Sequence, residues 1–379
     1  MTIRFLPTLI ILSLLVLSCS RKVTRIAGND SPVIFPAPPD TARIQFLTSI
    51  STSKDVKGNR KTFARFLLGE EDPIPIHKPY GIAISNGKIL ICDTFIHGLV
   101  IIDMKKNSFD QFIPEGKGEL KQPVNCFVDK KGFLYIADAV RKQIVIFDKE
   151  FNYVNSFGEA DNFKPVDVFV TNDTIWVSNL AGHQIYEYKA GPTNELISMW
   201  PEVNKESPIS LFSPTNLFVT ADKVFVTDFG DFKVKIYDHS GEFVDTVGSY
   251  GKVLGQFVRP KGIAVDRESN LYVVDAGFEN TQIFNSKGEL LMFFGGNYKG
   301  PGDMWLPAKV ILDYDHLKYL KAYVDPSYKL KYLIFVTNQF GPDKINIYGA
   351  IEPDKNYKAT GKKSKYQKKS RKKGPMFHS

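Results

Sequence analysis

The chain has 379 residues, of which 43% are hydrophobic, and a formal net charge of +8 at pH 7. Ten Lys and Arg residues and no acid lie between Lys355 and Lys373, so the rest of the chain carries a net charge of −2. This distribution excludes a basic nucleic-acid-binding body, and the apolar content is sufficient for a packed core. Length alone predicts two or three domains.

The N-terminus has the pattern of an export signal. Arg4 precedes an apolar run from Leu6 to Leu17, which is short for a transmembrane helix. The run ends in Val16-Leu17-Ser18-Cys19, which resembles the bacterial lipobox. The pattern predicts a lipoprotein signal peptide over residues 1–18 and a lipidated Cys19. The protein is then anchored in the bacterial cell envelope, on the periplasmic or cell-surface side. The alternative is an ordinary signal peptide with a chance cysteine.

Two further segments are predicted to lie outside the folded body. Residues 19–41 contain four prolines and no lasting periodicity, which predicts a flexible tether. Residues 352–379 hold the basic cluster, which cannot bury a core and is predicted to be a disordered tail. The tail either contacts an anionic surface or acts only as a solubilising segment.

Six similar apolar sequences, each typical of a β-strand and each ending in Asp or Asn, recur through the middle of the chain. Their final residues are Asp93, Asp138, Asn179, Asp228, Asp275 and Asn338. Each is preceded by another apolar stretch that begins with a proline, and these prolines recur every 42 to 49 residues: Pro79, Pro123, Pro165, Pro214, Pro260 and Pro307. This period predicts an all-β, six-bladed β-propeller over residues 42–351, which overrides the domain count expected from length.

The strand pattern also predicts how the ring closes. The second repeat shows four strand candidates, whereas the sixth shows three before the chain turns to charge and proline. Residues 42–50 form an apolar strand outside the repeat, and we expect this N-terminal strand to complete the sixth blade. The recurring Asp and Asn side chains are expected to accept backbone N–H bonds in the turns that follow them, rather than to act in catalysis.

The repeats resemble the NHL family. Pro79-Tyr80-Gly81-Ile82-Ala83-Ile84 and a second phrase from Pro260 to Asp266 match its consensus, and His97 and His183 occupy its histidine position. The resemblance covers residues 79–349 and implies a six-bladed propeller. Enzymatic relatives need a metal-binding cluster above the channel, whereas the histidines here are dispersed. No catalytic residue, metal site or cofactor is therefore assigned.

Positions where the repeats differ are the candidates for function. The second residue after each proline is Gly81, Asn125, Asp167, Asn216, Gly262 and Lys309. Asn125, Asp167, Asn216 and Lys309 are predicted to lie near one mouth of the channel and bind a small polar ligand or ion. The alternative is that they bind buried channel waters.

An insertion over residues 313–332 widens the sixth repeat and is rich in Tyr and Lys. A short helix is expected from Asp315 to Val324. Tyr319, Tyr323 and Tyr328 form a predicted partner surface, because Tyr gives large contact area at low entropic cost. The alternative is a long hairpin that packs over the blade edge. Cys92 and Cys126, in adjacent repeats, are predicted to be buried free thiols, with a disulfide as the alternative.

Together these features predict a non-catalytic, membrane-anchored scaffold that binds an envelope protein or polymer. It is expected to be a monomer that contacts the membrane through lipidated Cys19 and binds no nucleic acid. The alternative function is a metal-dependent propeller hydrolase or lyase with its site at the channel mouth. The fold by itself does not decide between the two, because propellers serve both purposes.

Overall fold

The computed structural model describes residues 32–57, 72–158, 161–203 and 207–355. Cys19, the predicted signal peptide over residues 1–18, residues 19–31 of the predicted tether and residues 356–379 of the predicted tail lie outside these residues. Within them the fold is all-β, with one short helix, α1 (Ser53–Lys57), and three 3₁₀ turns at Gly116–Gly118, Leu317–Tyr319 and Lys321–Tyr323. None of the helices in this part of the chain is long and apolar enough to cross a membrane.

Five sheets are four-stranded, antiparallel and sequential, as the repeat predicts. Blade 1 comprises β3 (Pro79–Ser85), β4 (Lys88–Asp93), β5 (Gly98–Asp103) and β6 (Ser108–Phe112). Blade 2 comprises β7 (Pro123–Val128), β8 (Leu134–Asp138), β9 (Gln143–Phe147) and β10 (Tyr153–Phe157). Blade 3 comprises β11 (Pro165–Thr171), β12 (Thr174–Asn179), β13 (Gln184–Lys189) and β14 (Leu196–Trp200). Blade 4 comprises β15 (Pro214–Val219), β16 (Val224–Asp228), β17 (Lys233–Tyr237) and β18 (Phe243–Val247). Blade 5 comprises β19 (Pro260–Val265), β20 (Leu271–Asp275), β21 (Asn280–Phe284) and β22 (Leu290–Gly295).

Blade 6 joins the two ends of the ring and confirms the predicted closure. Its strands are β23 (Pro307–Asp313), β24 (Tyr328–Asn338) and β25 (Ile345–Pro353), followed in space by β2 (Ile44–Ile50) and β1 (Ile34–Phe35). Strand β2 pairs antiparallel with β25 from Ile44↔Ala350 to Ile50↔Ile345. The innermost strands of all six blades contact their neighbours in a closed cycle, from β3 through β7, β11, β15, β19 and β23 back to β3.

Two boundaries differ from those predicted. Strand β1 lies inside the segment predicted as a tether, because Phe35 packs against Phe294 and Tyr348 with ring centroids 6.3 and 6.4 Å apart. Strand β25 continues to Pro353, two residues into the predicted tail, because Tyr328 at the start of the long strand β24 pairs with it.

Apolar clusters fill the interfaces between neighbouring blades, so each blade is stabilised by both of its neighbours. Cys92 and Cys126 are free thiols buried in the cluster between blades 1 and 2. Burial and the adjacent Cys126 thiol raise the pKa of Cys92 well above its ordinary value. Both side chains therefore behave as small apolar residues, as predicted.

The four recurring Asp side chains have the predicted turn chemistry and a second role as well, whereas Asn179 and Asn338 accept N–H bonds from Lys164 and Trp305 in the loops entering their blades. Asp275 accepts the N–H of Gly277 at 2.7 Å in the following turn. It also accepts the N–H groups of Val258 at 2.7 Å and Arg259 at 3.1 Å, just before Pro260. Asp93, Asp138 and Asp228 make equivalent bonds. Each of these side chains ties the turn after the second strand to the loop that enters its own blade.

The residue that occupies the NHL histidine position, in the turn after the second strand, has a left-handed backbone in five of the blades. His97, Lys142, His183, Phe232 and Glu279 have φ between 54° and 57°. The His183 ring Nδ1 lies 2.6 Å from the carbonyl oxygen of Phe212, and the His97 Nδ1 contacts the carbonyl of Lys121. These two histidines therefore connect a turn to the loop entering the next blade.

Candidate functional site

Four predicted site residues meet inside the channel and form what we call the channel plug: Asn125, Asp167, Asn216 and Lys309. The Lys309 ammonium donates to Asp167 Oδ2 at 2.6 Å, and this pair spans the ring between the opposite blades 3 and 6. Asn216 Nδ2 and the Leu217 N–H also donate to Oδ2, at 3.1 and 3.0 Å. Asn125 Nδ2 donates to the Val166 carbonyl at 2.8 Å.

Glycine at the same position of the other two blades allows the plug to form. A Cβ atom on Gly81 would lie 2.5 Å from the Asn125 Cα, and one on Gly262 would lie 2.5 Å from the Lys309 Cα. Such distances are impossible for real side chains, so these glycines permit the close approach of neighbouring innermost strands. Neighbouring innermost strands therefore approach one another closely at the level of the plug.

The four plug residues are buried and bonded mainly to one another and to the backbone. Asn125 Oδ1 and Asn216 Oδ1 have no hydrogen-bond partner among the described residues. The predicted binding of a small ligand by the plug stays a prediction. The contacts give the plug a structural role in any case, because it links blades 2, 3, 4 and 6 across the ring axis.

The channel mouth next to the plug is formed by residues on either side of two of the prolines, and we call Lys78, Tyr80, Arg259 and Lys261 the loop-side mouth. The Lys261 ammonium lies 5.0 Å from the centroid of the Tyr80 ring. Burial, together with the neighbouring charges of Arg259 and Lys78, lowers the pKa of Lys261 to about 8. Burial and the nearby Asp167 carboxylate raise the pKa of Tyr80.

Large aromatic side chains stand exposed around this mouth, on the loops before the prolines and the turns after the Asp or Asn residues. Phe95, Tyr250, Phe340 and Trp305 are 64%, 61%, 48% and 46% exposed. We call the end of the ring marked by these four residues the loop face. Three of the rings pack against neighbours: Phe95 on His77, Tyr250 on Phe232 and Trp305 on Tyr298, at centroid distances of 4.5, 4.7 and 6.1 Å.

The opposite end of the channel is an apolar chamber of about 330 Å³ below the plug. Side chains from all six innermost strands line it, including Ile84, Phe127, Phe169, Phe218, Val265 and Ile311. At its opening the Arg267 guanidinium stacks on the Tyr314 ring, 4.0 Å from the ring centroid. The plug thus separates a charged, aromatic mouth from an apolar chamber.

The insertion packs over the edge of blade 6 and reaches blade 1. Its helical part consists of two 3₁₀ turns instead of the expected α-helix, since all four of its backbone bonds run to the third residue back and Pro326 ends the segment. Leu320 and Val324 are buried. The His316 Nε2 accepts the Gly87 N–H of blade 1 at 3.0 Å.

The three tyrosines of the predicted partner surface have different environments. Tyr323 is 48% exposed, whereas Tyr319 and Tyr328 pack against the core between blades 6 and 1. Their role in partner binding stays a prediction. The hairpin alternative accounts for the packing of Tyr319 and Tyr328.

No group of three or more His, Cys, Asp or Glu side chains in the described ranges is placed to hold a metal ion. No protein-family model matches the chain, so the NHL relationship remains a resemblance.

The chain is a six-bladed β-propeller. It is similar to a gluconolactonase, XC5397 from Xanthomonas campestris, with TM-score 0.53 and 16% identity over 86% of this chain and 96% of that one. It is also similar to a Bacteroides thetaiotaomicron protein of unknown function, with TM-score 0.55 and 14% identity over 73% and 70%. A third similar structure is an inactive virginiamycin B lyase from Staphylococcus aureus, with TM-score 0.51 and 14% identity over 72% and 95%. At such identities the likeness shows the fold alone.

Sequence reasoning missed the loop-face aromatics and Lys261. No local motif marks any of these residues. Phe95 and Phe340 lie two residues after a recurring Asp or Asn, and Trp305 and Lys261 lie within two residues of a recurring proline. Tyr250 lies in the long loop before Pro260 and has no such positional signal.

Proposed function

We propose that this protein is a non-catalytic binding propeller of the bacterial cell envelope, held at a membrane through lipidated Cys19. Its loop face binds an envelope protein or polymer. The observation that carries the proposal is the exposure of Phe95, Tyr250, Trp305 and Phe340 around one mouth of the ring. Large aromatic rings are the side chains that most often anchor an interface.

Two features favour a binding role for these rings over chance exposure. Phe95, Tyr250 and Trp305 are held by packing against neighbouring rings, so little side-chain entropy is lost when a partner covers them. The backbone beneath two of the rings is also held in place, because Asp93 accepts the Phe95 N–H at 3.0 Å and Asn338 accepts the Trp305 N–H at 3.3 Å. Rings held in this way form a preorganised surface, so a partner can bind without a conformational change of the propeller.

Loss of two aromatic anchors is expected to weaken partner capture strongly. The variant Trp305→Ser/Phe340→Ser removes two neighbouring rings of the loop face. Val154→Ser/Val244→Ser is the matched control, because both valines are 48% exposed but lie on the outermost strands β10 and β18. We expect capture of envelope components by the loop-face variant to fall at least tenfold, since each anchor contributes about 2 kcal/mol or more.

The control variant should capture the same components as the parent. Melting temperatures of both variants establish that the fold is retained. Equal capture by the loop-face variant and the parent would remove the basis for assigning binding to this face.

Attachment through Cys19 is tested separately. We expect the parent to incorporate a labelled fatty acid and to sediment with membranes, and the Cys19→Ala variant to do neither, because the thiol is the only acceptor in the lipobox pattern. Incorporation of label into Cys19→Ala, or membrane sedimentation unchanged by the substitution, would contradict lipid anchoring at this residue.

A further inference from the structure

Basic side chains gather at the loop-side mouth without an acidic counterpart. The residues that flank the six prolines are Lys78, Tyr80, Gln122, Val124, Lys164, Val166, Ser213, Thr215, Arg259, Lys261, Leu306 and Ala308. Four of these residues are basic and none is acidic. Because the rest of the chain outside the tail carries a net charge of −2, this ring of positions is a local excess of positive charge.

Lys261 is the central group of this cluster. It is partly buried, its ammonium faces the Tyr80 ring at 5.0 Å, and Arg259 and Lys78 lie near enough to disfavour its charged form. Lys78 itself lies over the Phe340 ring, 5.9 Å from the centroid. Among the described residues no ion pair joins Lys78, Arg259 or Lys261 to an acid.

Acids on the same end of the ring are engaged by other groups. Asp167 is paired with Lys309, and Asp231 with Lys233 and Lys235. Glu279 accepts the Leu306 N–H at 3.1 Å, and Asp343 accepts hydroxyl bonds from Ser49 and Tyr298. Asp93 and Asp275 accept the backbone N–H groups of Lys78 and Arg259 and form no ion pair with the three basic side chains in the described part of the chain. A ligand that brings negative charge therefore relieves the repulsion between Lys261 and its neighbours.

We propose that the loop-side mouth binds an oxyanion group with at least two negative charges, held by Lys261 together with Lys78 and Arg259. The ligand class is a phosphate or a polycarboxylate. Charge-assisted hydrogen bonds from the ammonium and guanidinium groups recognise the oxygens, and the Tyr80 and Phe340 rings form adjacent walls. The inference deepens the proposed function, because such a group on the partner would enter the centre of the loop face.

The test uses the full chain in detergent and measures binding of pyrophosphate, citrate and acetate by calorimetry at constant ionic strength. We expect pyrophosphate or citrate to bind at least tenfold more tightly than acetate, and the tighter of the two identifies the ligand class. Binding should weaken as pH rises through about 8, because Lys261 loses its proton there. Equal binding of pyrophosphate, citrate and acetate would overturn the proposal.

Two single variants distinguish anion binding at the loop-side mouth from anion binding by the basic tail, because the tail is present in every sample. Lys261→Met should reduce pyrophosphate affinity at least tenfold, whereas Lys287→Met, an exposed lysine in a turn at the outer part of the same blade, should leave it unchanged. Equal affinity in the two variants would overturn the proposal. If Lys261→Met fails to fold, Lys78→Gln/Arg259→Gln replaces two exposed side chains and carries the same expectation.

The two proposals fail independently. Anion binding is measured on the isolated protein, so it can persist when partner capture does not depend on the loop face. Conversely, partner capture that requires Trp305 and Phe340 can persist when pyrophosphate and citrate bind no better than acetate.

Discussion

Replacing Asp167 with alanine is expected to lower the free energy of unfolding by about 3–5 kcal/mol, because the Lys309 charge is then left buried without its partner. The effect is large because Asp167 Oδ2 also accepts hydrogen bonds from Asn216 and the Leu217 backbone. All of these donors lie inside the ring, where solvent cannot replace the lost carboxylate. Denaturant unfolding of parent and variant measures the change.

A double-mutant cycle distinguishes the ion pair from the packing around it. The pair Asp167→Asn/Lys309→Met removes both charges and keeps an oxygen for the Leu217 N–H. We expect it to be more stable than either single variant, Asp167→Asn or Lys309→Met, and close to the parent, because neutral replacement of a buried ion pair is often tolerated. Additive losses in the double variant would show that the contact between blades 3 and 6 does not stabilise the ring as the structure implies.

Removal of the closing strand is expected to have the second large effect. Chains that begin at residue 51 lack β2, whereas chains that begin at residue 41 keep β2 and lose, of the described strands, the two-residue strand β1. Loss of β2 exposes the edge of β25 and removes Ile44 and Leu47 from the core. Each of these side chains contributes about 1.5–3 kcal/mol, which is a large part of the typical 5–15 kcal/mol total.

Calorimetry of the two truncated chains measures this effect. We expect the chain from residue 41 to unfold cooperatively and the chain from residue 51 to lose its cooperative transition and aggregate, because an open blade edge pairs with other chains. A cooperative transition of the shorter chain at the same temperature as the longer one would contradict the role of β2 in closure.

The repeat made most of the fold predictable from sequence. A proline and an Asp or Asn recur in every repeat because the chain enters each blade, and turns after its second strand, at the same place in the ring. That logic also led to Asn125, Asp167, Asn216 and Lys309, since equivalent positions in a ring necessarily lie at one depth of the channel. The closing strand was predictable because the sixth repeat has three strands where the others have four.

Two kinds of contact were not predictable from the repeat: those between side chains on opposite blades, and the packing of segments that lie outside the repeat. Nothing in the sequence indicates that Lys309 reaches across the channel to Asp167 on the opposite blade. Phe35 packs on the propeller although its proline-rich surroundings are typical of a tether. The sequence predicts a short helix over Asp315 to Val324, whereas this segment forms 3₁₀ turns that contact Gly87 and Gln45, and only the folded ring provides these contacts.

Hydrogen–deuterium exchange of the protein, alone and with a captured envelope partner, tests the assignment of the binding face most directly. The account predicts protection in the loop-face segments 94–97, 248–257, 304–306 and 339–343, and none in the outermost strands β10 and β18. Protection confined to those outer strands, or to the Tyr-rich insertion at residues 313–332, would contradict binding through the loop face.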